Sequence, residues 1–488
     1  MHAIVIGAGI GGIAAAIRAA RLGYSVDVFE AASGPGGKLS SFQAGEYRFD
    51  RGPSLFTMPQ YVDELFELCG EDPRQHFSYT REEVVCRYFW DDGQQLTAYA
   101  DPQRFSEEAA RVFEVPSDRV MDALLAAGNK YEGAGRIFLE QPLHKVATWA
   151  SRPVLRSLSK LGSMDLTRTM HEVNERTLRH PRLVQLFDRF ATYNGSSPYR
   201  APGVLTVIPS FEHLHGTFIP EGGMYDITSS LVQLAQRQGV CFHFNKRVER
   251  VLSAGDRVTG IELQDGTRVP ADLLINNADV FGFYDTLLPE AKKPVRTLRQ
   301  ERSTSAVIFY WGVRCTFEEL GLHNIFFSKN YEAEFAALEV GEIADDFTVY
   351  VNISSKSVEG EGPAGTENWF VMINAPHDQG QDWEQQLKRL RRSTLTKLSS
   401  RLNVDIESRI DEERTWTPAG IASDTGSHLG ALYGASSNSK WAAFLRHRNQ
   451  SRQYKNLYFV GGSVHPGGGV PLALLSAKIA SQLIPKPS

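Results

Sequence analysis

The run Gly7-Ala8-Gly9-Ile10-Gly11-Gly12 has the spacing G-x-G-x-x-G, and an acid, Glu30, follows it downstream. Residues of this kind meet charge with backbone rather than with side chains. Gly7 permits a tight turn, Gly9 lets the backbone approach a pyrophosphate, and Gly12 allows a helix to pack closely on a strand. A helix beginning at Ile10 would aim its free N–H groups at phosphate charge. Glu30 could then accept hydrogen bonds from a ribose diol. An acid with no Arg beside it disfavours a cofactor carrying a 2′-phosphate.

Further segments share this character. Gly36-Gly37-Lys38 and Asp50-Arg51-Gly52-Pro53-Ser54 follow soon after Glu30, and Gly461-Gly462-Ser463-Val464-His465-Pro466-Gly467-Gly468-Gly469-Val470-Pro471-Leu472 stands near the other end of the chain. The last of these reads as a glycine loop delivered by a strand to a helix start. Its bare N–H groups could meet the pyrimidine carbonyls and ribityl chain of a flavin. The bland alternative is that Gly467–Gly469 make only a surface loop.

Such loops need elements to hold them. An apolar strand over Ala3–Ile6, helical spacing over Ile10–Leu22 and an alternating strand over Ser25–Glu30 compose one β-α-β unit, with Gly23 ending the helix. Val84–Phe89 is the clearest strand of the next region. From about Pro102 to Tyr193 the pattern turns helical and looks like an insertion. Strand signals return at Gly216–Gly223, followed by a helix over about Tyr225–Gln238. Strands are predicted at Val240–Phe244, Val248–Leu252, Val258–Leu263 and Leu273–Asn276. A second strand-rich stretch holds Ser305–Val313, Phe347–Ile353 and Trp369–Asn374, then a charged helix over Trp383–Leu402. Strand Leu457–Val460 and helix Pro471–Leu483 close the chain.

Composition excludes several classes. The 488 residues are 42% hydrophobic and 22% charged, far from disordered or fibrous extremes. With 52 Lys+Arg against 57 Asp+Glu the net charge is −5, which argues against a nucleic-acid partner. The apolar run Ala3–Ile17 is shorter than the ~20 residues that span a bilayer, and no Lys or Arg precedes it as in a secretory signal. Cys69, Cys86, Cys241 and Cys315 are widely spaced, which suits reduced thiols of a cytoplasmic protein. His213 and His215 have no third ligand nearby in sequence, so no metal is expected.

Together these motifs resemble the FAD-dependent carotenoid desaturases of the bacterial phytoene desaturase type, within the larger amine-oxidase-like flavoproteins. The resemblance spans nearly the whole chain. It is carried by Gly7–Gly12 with Glu30, by Gly36-Gly37-Lys38, by Gly222-Gly223-Met224, and by His465-Pro466-Gly467-Gly468-Gly469-Val470-Pro471. The stretch Arg189-Phe190-Ala191-Thr192-Tyr193-Asn194-Gly195-Ser196-Ser197-Pro198-Tyr199 is most similar to the subgroup acting on 1-hydroxylated carotenoids at the 3,4 bond.

The resemblance implies an α/β fold. A Rossmann-like FAD-binding domain, residues 1–85, 216–290 and 440–488, would be interrupted by an inserted α+β substrate domain with a helical membrane-facing region, residues 86–215 and 291–439. It implies FAD contacts at Gly7, Gly9, Ile10, Gly11, Gly12, Glu30, Gly37, Lys38, Leu55 and Phe56. Val248 would contact the adenine end, Asn277 would follow a strand of the dinucleotide domain, and Gly462, Val470, Pro471 and Leu472 would line the flavin. Taken alone, Val248 reads as strand core.

The implied reaction is carotenoid desaturation, with hydride passing to the flavin and a proton lost from the neighbouring carbon. The sequence offers no nucleophile elbow, paired-carboxylate motif or metal cluster, and no catalytic residue is assigned. A phytoene-type desaturase and a non-catalytic carotenoid or lipid carrier are the alternatives. A hydrocarbon substrate calls for an apolar tunnel from the membrane, since water exposure costs about 0.8 kcal/mol per CH2. Tyr193, Asn194 and Tyr199 are candidates for reading a terminal hydroxyl, or they serve ordinary turns and core edges.

In His144–Met170, five cations (Lys145, Arg152, Arg156, Lys160, Arg168) stand against one acid, Asp165, a local balance of +4 among Trp149, Leu155 and Leu158. That pattern suits a segment resting on a membrane surface, or an amphipathic helix packed on the protein. The expected location is cytoplasmic, peripheral to the inner face of the cell membrane.

Overall fold

The computed structural model describes residues 1–135, 139–142, 144, 148, 164–439 and 446–487. The N-terminal β-α-β unit forms as read, with strand His2–Ile6, helix Ile10–Leu22 and strand Ser25–Phe29. The helix stops at Gly23, whose φ of 106° places it in the left-handed region while its N–H caps the carbonyls of Ala19 and Ala20. Strand His2–Ile6 is central in a five-stranded parallel sheet that runs Leu457–Phe459, Leu273–Asn276, His2–Ile6, Ser25–Phe29, Cys241–His243. The sheet therefore gathers segments from both ends and the middle of the chain.

Both faces of this sheet are covered, as a parallel sheet requires. Ala3, Val5, Val26, Val28 and Ile275 pack with Ile13 and Ile17 of the first helix and with Leu474 and Ala477 of the last, Val470–Ser481. The alternate residues Ile4, Ile6, Leu274 and Phe459 pack with Val251, Val258 and Ile261 of a small antiparallel sheet, Val248–Ala254, Arg257–Leu263 and Arg268–Pro270.

The second large sheet is mixed and seven-stranded, in the order Ile410–Trp416, Ser305–Val313, Glu367–Ala375, Val349–Ile353, His323–Phe326, Val84–Phe89, Gln95–Tyr99. Strand alternation gives it two unlike faces. Val307, Phe309, Trp311, Val351 and Val371 are buried against Leu390, Leu395 and Leu398 of helix Trp383–Leu402. Their neighbours Ile308, Tyr350, Phe370 and Met372 point to the opposite side, where the cavity described below lies.

Among the described residues, helices Pro102–Phe113, Asp118–Lys130, Met170–Leu178 and Pro181–Asp188 lie in the helical stretch. Thr169 and Glu172 form a reciprocal capping box at the start of Met170–Leu178. The expected boundary between residues 85 and 86 falls inside strand Val84–Phe89, which pairs with Gln95–Tyr99 in the mixed sheet on both sides of an irregularity at Val85. Strands Gln95–Tyr99, His323–Phe326 and Ile410–Trp416 had no clear signal in the sequence. The last is a sheet edge carrying Asp411, Glu412, Glu413 and Arg414, and edge strands are commonly charged.

No helix among the described residues is long and apolar enough to cross a membrane. Of the basic stretch His144–Met170, residues 145–147 and 149–163 lie outside the described residues, and so do the cations Lys145, Arg152, Arg156 and Lys160.

Candidate functional site

A cavity of about 990 Å3 runs between the parallel sheet and the mixed sheet. That is near the top of the ~300–1,000 Å3 range of small-molecule sites. Its two ends differ in chemistry.

One end is lined by backbone. Gly7, Gly9, Gly11 and Gly37 meet Gly461, Gly462, Gly468 and Gly469 across it. Gly9 precedes helix Ile10–Leu22, Gly469 precedes helix Val470–Ser481, and neither start has a side-chain cap. Unpaired N–H groups of two helices thus open on one cavity. The glycines are also required by contact. A Cβ on Gly11 would stand 2.9 Å from Gly461 Cα and 2.8 Å from Asn277 Oδ1, and one on Gly9 would stand 2.8 Å from Asn277 Nδ2. Asn277 is the point at which the two glycine loops converge.

Glu30 sits where strand Ser25–Phe29 ends. Its Oε2 accepts from Ala8 N at 2.7 Å and its Oε1 from Ala32 N at 2.8 Å. Each oxygen keeps a further lone pair for a ligand. Lys38 Nζ donates to Leu432 O at 2.8 Å and Ala431 O at 3.3 Å. Burial holds its pKa down to about 8, with the Asp279 carboxylate pulling the other way.

Two motifs that are distant in sequence join beside this end. The Asp50 carboxylate accepts from Met224 N at 2.7 Å and Tyr225 N at 3.1 Å. Burial pushes the Asp50 pKa up to about 6, against the pull of Arg48. The segment Asp50–Ser54 is thereby tied to Gly222-Gly223-Met224, and Arg51, Gly52, Pro53, Ser54 and Leu55 continue along the cavity wall.

The other end is apolar. Ile308, Ile325, Phe370 and Met372 of the mixed sheet form its floor, and Leu205, Val207, Ile208 and Phe211 from the helical stretch face them. One polar cluster interrupts this lining. Arg189 donates to Tyr88 Oη at 2.9 Å and to Tyr193 Oη at 3.0 Å. Tyr193 donates in turn to Glu212 Oε1. Glu212 is 1% exposed, and its Oε2 lies 3.6 Å from Arg189 Nη2. Burial pushes the Glu212 carboxyl up, and Arg189 pulls it down. Tyr350 Oη bridges Ser54 Oγ at 2.7 Å and His323 Nδ1 at 2.8 Å.

Of the residues expected from sequence, Gly7, Gly9, Ile10, Gly11, Glu30, Gly37, Lys38, Leu55, Val248, Asn277, Gly462, Val470, Pro471 and Leu472 all line the cavity. Gly12 lies behind the wall, where a Cβ would stand 2.1 Å from Gly7 O. Phe56 is core, 1% exposed and edge-on to Phe77 and Tyr79. Tyr193 and Asn194 line the apolar end. Tyr199 does not reach it; its ring packs on His171 and Phe335. His213 stacks on Phe105, whereas His215 packs edge-on to Tyr131. Sequence reasoning did not pick out Glu212, His323 or Tyr350. Their only signal was a polar letter inside an apolar stretch.

Residues 10–485 match the flavin-containing amine oxidoreductases. The chain belongs to that family. It is 47% identical over 484 residues to a 1-hydroxycarotenoid 3,4-desaturase of Flavobacterium sp. (strain P99-3), covering 99% of each chain. It is 31% identical to a 4,4'-diaponeurosporene oxygenase of Staphylococcus aureus (strain MSSA476), covering 98% of this chain and 96% of that one. The crystal structure of an oxidoreductase from Methanosarcina mazei shares the fold, with a TM-score of 0.67 at 15% identity over 99% of this chain and 100% of that one. The protein is therefore a flavin-dependent oxidoreductase with a parallel nucleotide-type sheet and a mixed sheet that flank the cavity.

Proposed function

We propose that this protein is an FAD-dependent carotenoid desaturase that introduces the 3,4 double bond of a 1-hydroxycarotenoid. The observation that carries the reading is the 47% identity along 99% of both chains to an enzyme of that name. The two-ended cavity supports it, because a dinucleotide and a long apolar substrate need one polar, backbone-lined compartment and one apolar compartment in continuity.

The residues at the first end suit FAD. The glycine cradle accepts no Cβ at Gly11, where Gly461 backbone stands 2.9 Å away, two uncapped helix starts face the space, and Glu30 keeps lone pairs for a ribose. Gly7, Gly9, Ile10, Gly11, Glu30, Gly37, Lys38, Val248 and Asn277 would hold the nucleotide portion, with Gly12 and Phe56 supporting from behind. Leu55, Gly462, Val470, Pro471 and Leu472 would hold the flavin ring. When bound, the flavin supplies a two-electron acceptor that takes a hydride from one carbon while the adjacent carbon loses a proton.

The protein's own part is positioning and exclusion of water. Ile308, Ile325, Phe370 and Met372 hold a polyene by apolar contact, and no water-activating group is needed. A hydrocarbon substrate resides in lipid, so the protein would work peripherally at the cytoplasmic face of the cell membrane. The +4 stretch His144–Met170 is the sequence feature that suits this. Flotation with anionic liposomes tests it: changing Lys145, Arg152, Arg156 and Lys160 to Gln should release the protein, and undiminished flotation would contradict the membrane role.

Pigment analysis tests the reaction. Supplied separately with phytoene, lycopene and a 1-hydroxycarotenoid in membranes, the protein should add a double bond to the hydroxylated substrate. New double bonds in phytoene alone would assign it to the phytoene-type desaturases instead.

A further inference from the structure

The polar cluster in the apolar end leaves Glu212 Oε2 as an acceptor, and Arg189 Nε and His323 Nε2 as donors, without hydrogen-bond partners. His323 is 4% exposed and lines the cavity. Its Nδ1 is met by Tyr350 Oη at 2.8 Å and by Asn352 Nδ2 at 3.2 Å. Asn352 Nδ2 also donates to Leu322 O at 3.0 Å, which fixes it as the amide nitrogen. An amide nitrogen only donates, so His323 Nδ1 is the accepting nitrogen of a neutral ring. Burial, with Arg189 nearby, holds the His323 pKa down to about 3 and keeps the ring neutral. The ring proton therefore sits on Nε2, which is buried and has no partner.

Glu212 supplies the counterpart. Its Oε1 is taken by Tyr193, while Oε2 is buried with no hydrogen-bond partner. Arg189 pairs with Glu212 and donates to Tyr88, which lies on the strand paired with His323–Phe326, so both residues stand on one part of the cavity wall. A hydroxyl group donates one hydrogen bond and accepts others. A donating N–H and a carboxylate oxygen with no hydrogen bond of its own together complement such a group.

Resting on the reading of this end as the carotenoid compartment, we propose that Glu212 and His323 form a subsite for the substrate's terminal hydroxyl. The hydroxyl donates to Glu212 Oε2 and accepts from His323 Nε2. Tyr193, whose own hydroxyl is already committed to Arg189 and Glu212, positions the carboxylate rather than touching substrate. Tyr350 and Asn352 fix the ring.

The subsite would also set the register of the reaction. A polyene can slide along an apolar wall, since every repeat makes similar contacts. In a 1-hydroxycarotenoid the oxygen-bearing carbon is separated from the 3,4 bond by a single carbon. Anchoring that oxygen fixes which bond is presented to the flavin. A substrate without the hydroxyl would leave both buried groups unpaired, and sites built on hydrogen bonds reject such analogues strongly.

The test uses the holoenzyme with a 1-hydroxycarotenoid and its non-hydroxylated counterpart. His323→Phe should lower kcat/KM for the hydroxylated substrate by ~10–100-fold and raise it for the counterpart, which no longer buries an unpaired N–H, with flavin content intact. Glu212→Leu alone strands Arg189, so the paired change Arg189→Met with Glu212→Leu is the second variant, and it should show the same loss of selectivity. Equal losses for both substrates, or no change in selectivity, would overturn the subsite. Wild-type enzyme that desaturates both substrates equally well would overturn the subsite and leave the desaturase reading standing. Wild-type enzyme that desaturates neither would overturn both.

Discussion

The two ends of the cavity are built by opposite means. At the glycine end, recognition belongs to the backbone, and what matters is the absence of side chains at Gly9, Gly11 and Gly461, where an added Cβ would stand within 3 Å of a neighbour. At the sheet-floored end, recognition belongs to side chains that arrive from separate strands and from the helical stretch. The first end suits a cofactor that can stay the same while substrates change. On the proposed reading, the second sets what is oxidised.

The sharpest way to break this contrast is at Glu30. Glu30→Ala removes the carboxylate that faces the cavity and also leaves Ala8 N and Ala32 N without their acceptor. Charged hydrogen bonds of this kind contribute about 2–3 kcal/mol, so flavin affinity should fall ~30–140-fold by fluorescence titration. Carotenoid binding should persist.

Lys38 sharpens the same end through pH. Its pKa in the folded protein is about 8, below the ordinary 10.5. If the cation holds the cofactor's negative charge, flavin affinity falls as pH rises above about 8, approaching tenfold per unit, and Lys38→Met flattens the profile. The stability of the apoprotein moves the other way. The folded lysine binds its proton less tightly than the unfolded one, so this group's contribution to stability rises from about pH 8 toward 10.5.

Met372 addresses the second end. Met372→Gln keeps the shape of the side chain but places an amide on the apolar floor. Burying it against a polyene costs about 1–3 kcal/mol, so KM for the carotenoid should rise roughly tenfold while flavin content stays unchanged. The smallest effect is expected outside both ends. Thr169→Ala removes half of the capping box on Met170–Leu178 and should cost about 1 kcal/mol in denaturant unfolding, with both ligands still bound.

The same contrast explains what the sequence made legible. The G-x-G-x-x-G run, Glu30 and the Gly467–Gly469 loop are local patterns, and the structure brings them to one cavity because parallel strands must be buried on both faces and their loops emerge at one edge. The helix Ile10–Leu22 and the strand Ser305–Val313 were readable from periodicity alone. Strand His323–Phe326 was not, because its four residues begin with His and Asn, whose partners Tyr350 Oη and Val351 O on the neighbouring strand are set only by tertiary pairing. Glu212 was hidden for the same reason. Its partners Arg189 and Tyr193 lie on the preceding 3-10 turn, Arg189–Asn194, and no spacing rule links them. Tyr199 was placed with Tyr193 by proximity in sequence, but Gly195, in the left-handed region at φ 57°, turns the chain between them.

The central claim is that a bound flavin accepts hydride from a hydroxylated carotenoid. Anaerobic mixing of the purified holoenzyme with a 1-hydroxycarotenoid tests it most directly. The visible absorption of the oxidised flavin should bleach as carotenoid absorption shifts to longer wavelength, one flavin reduced for each double bond formed. Carotenoid that binds while the flavin stays fully oxidised would contradict it.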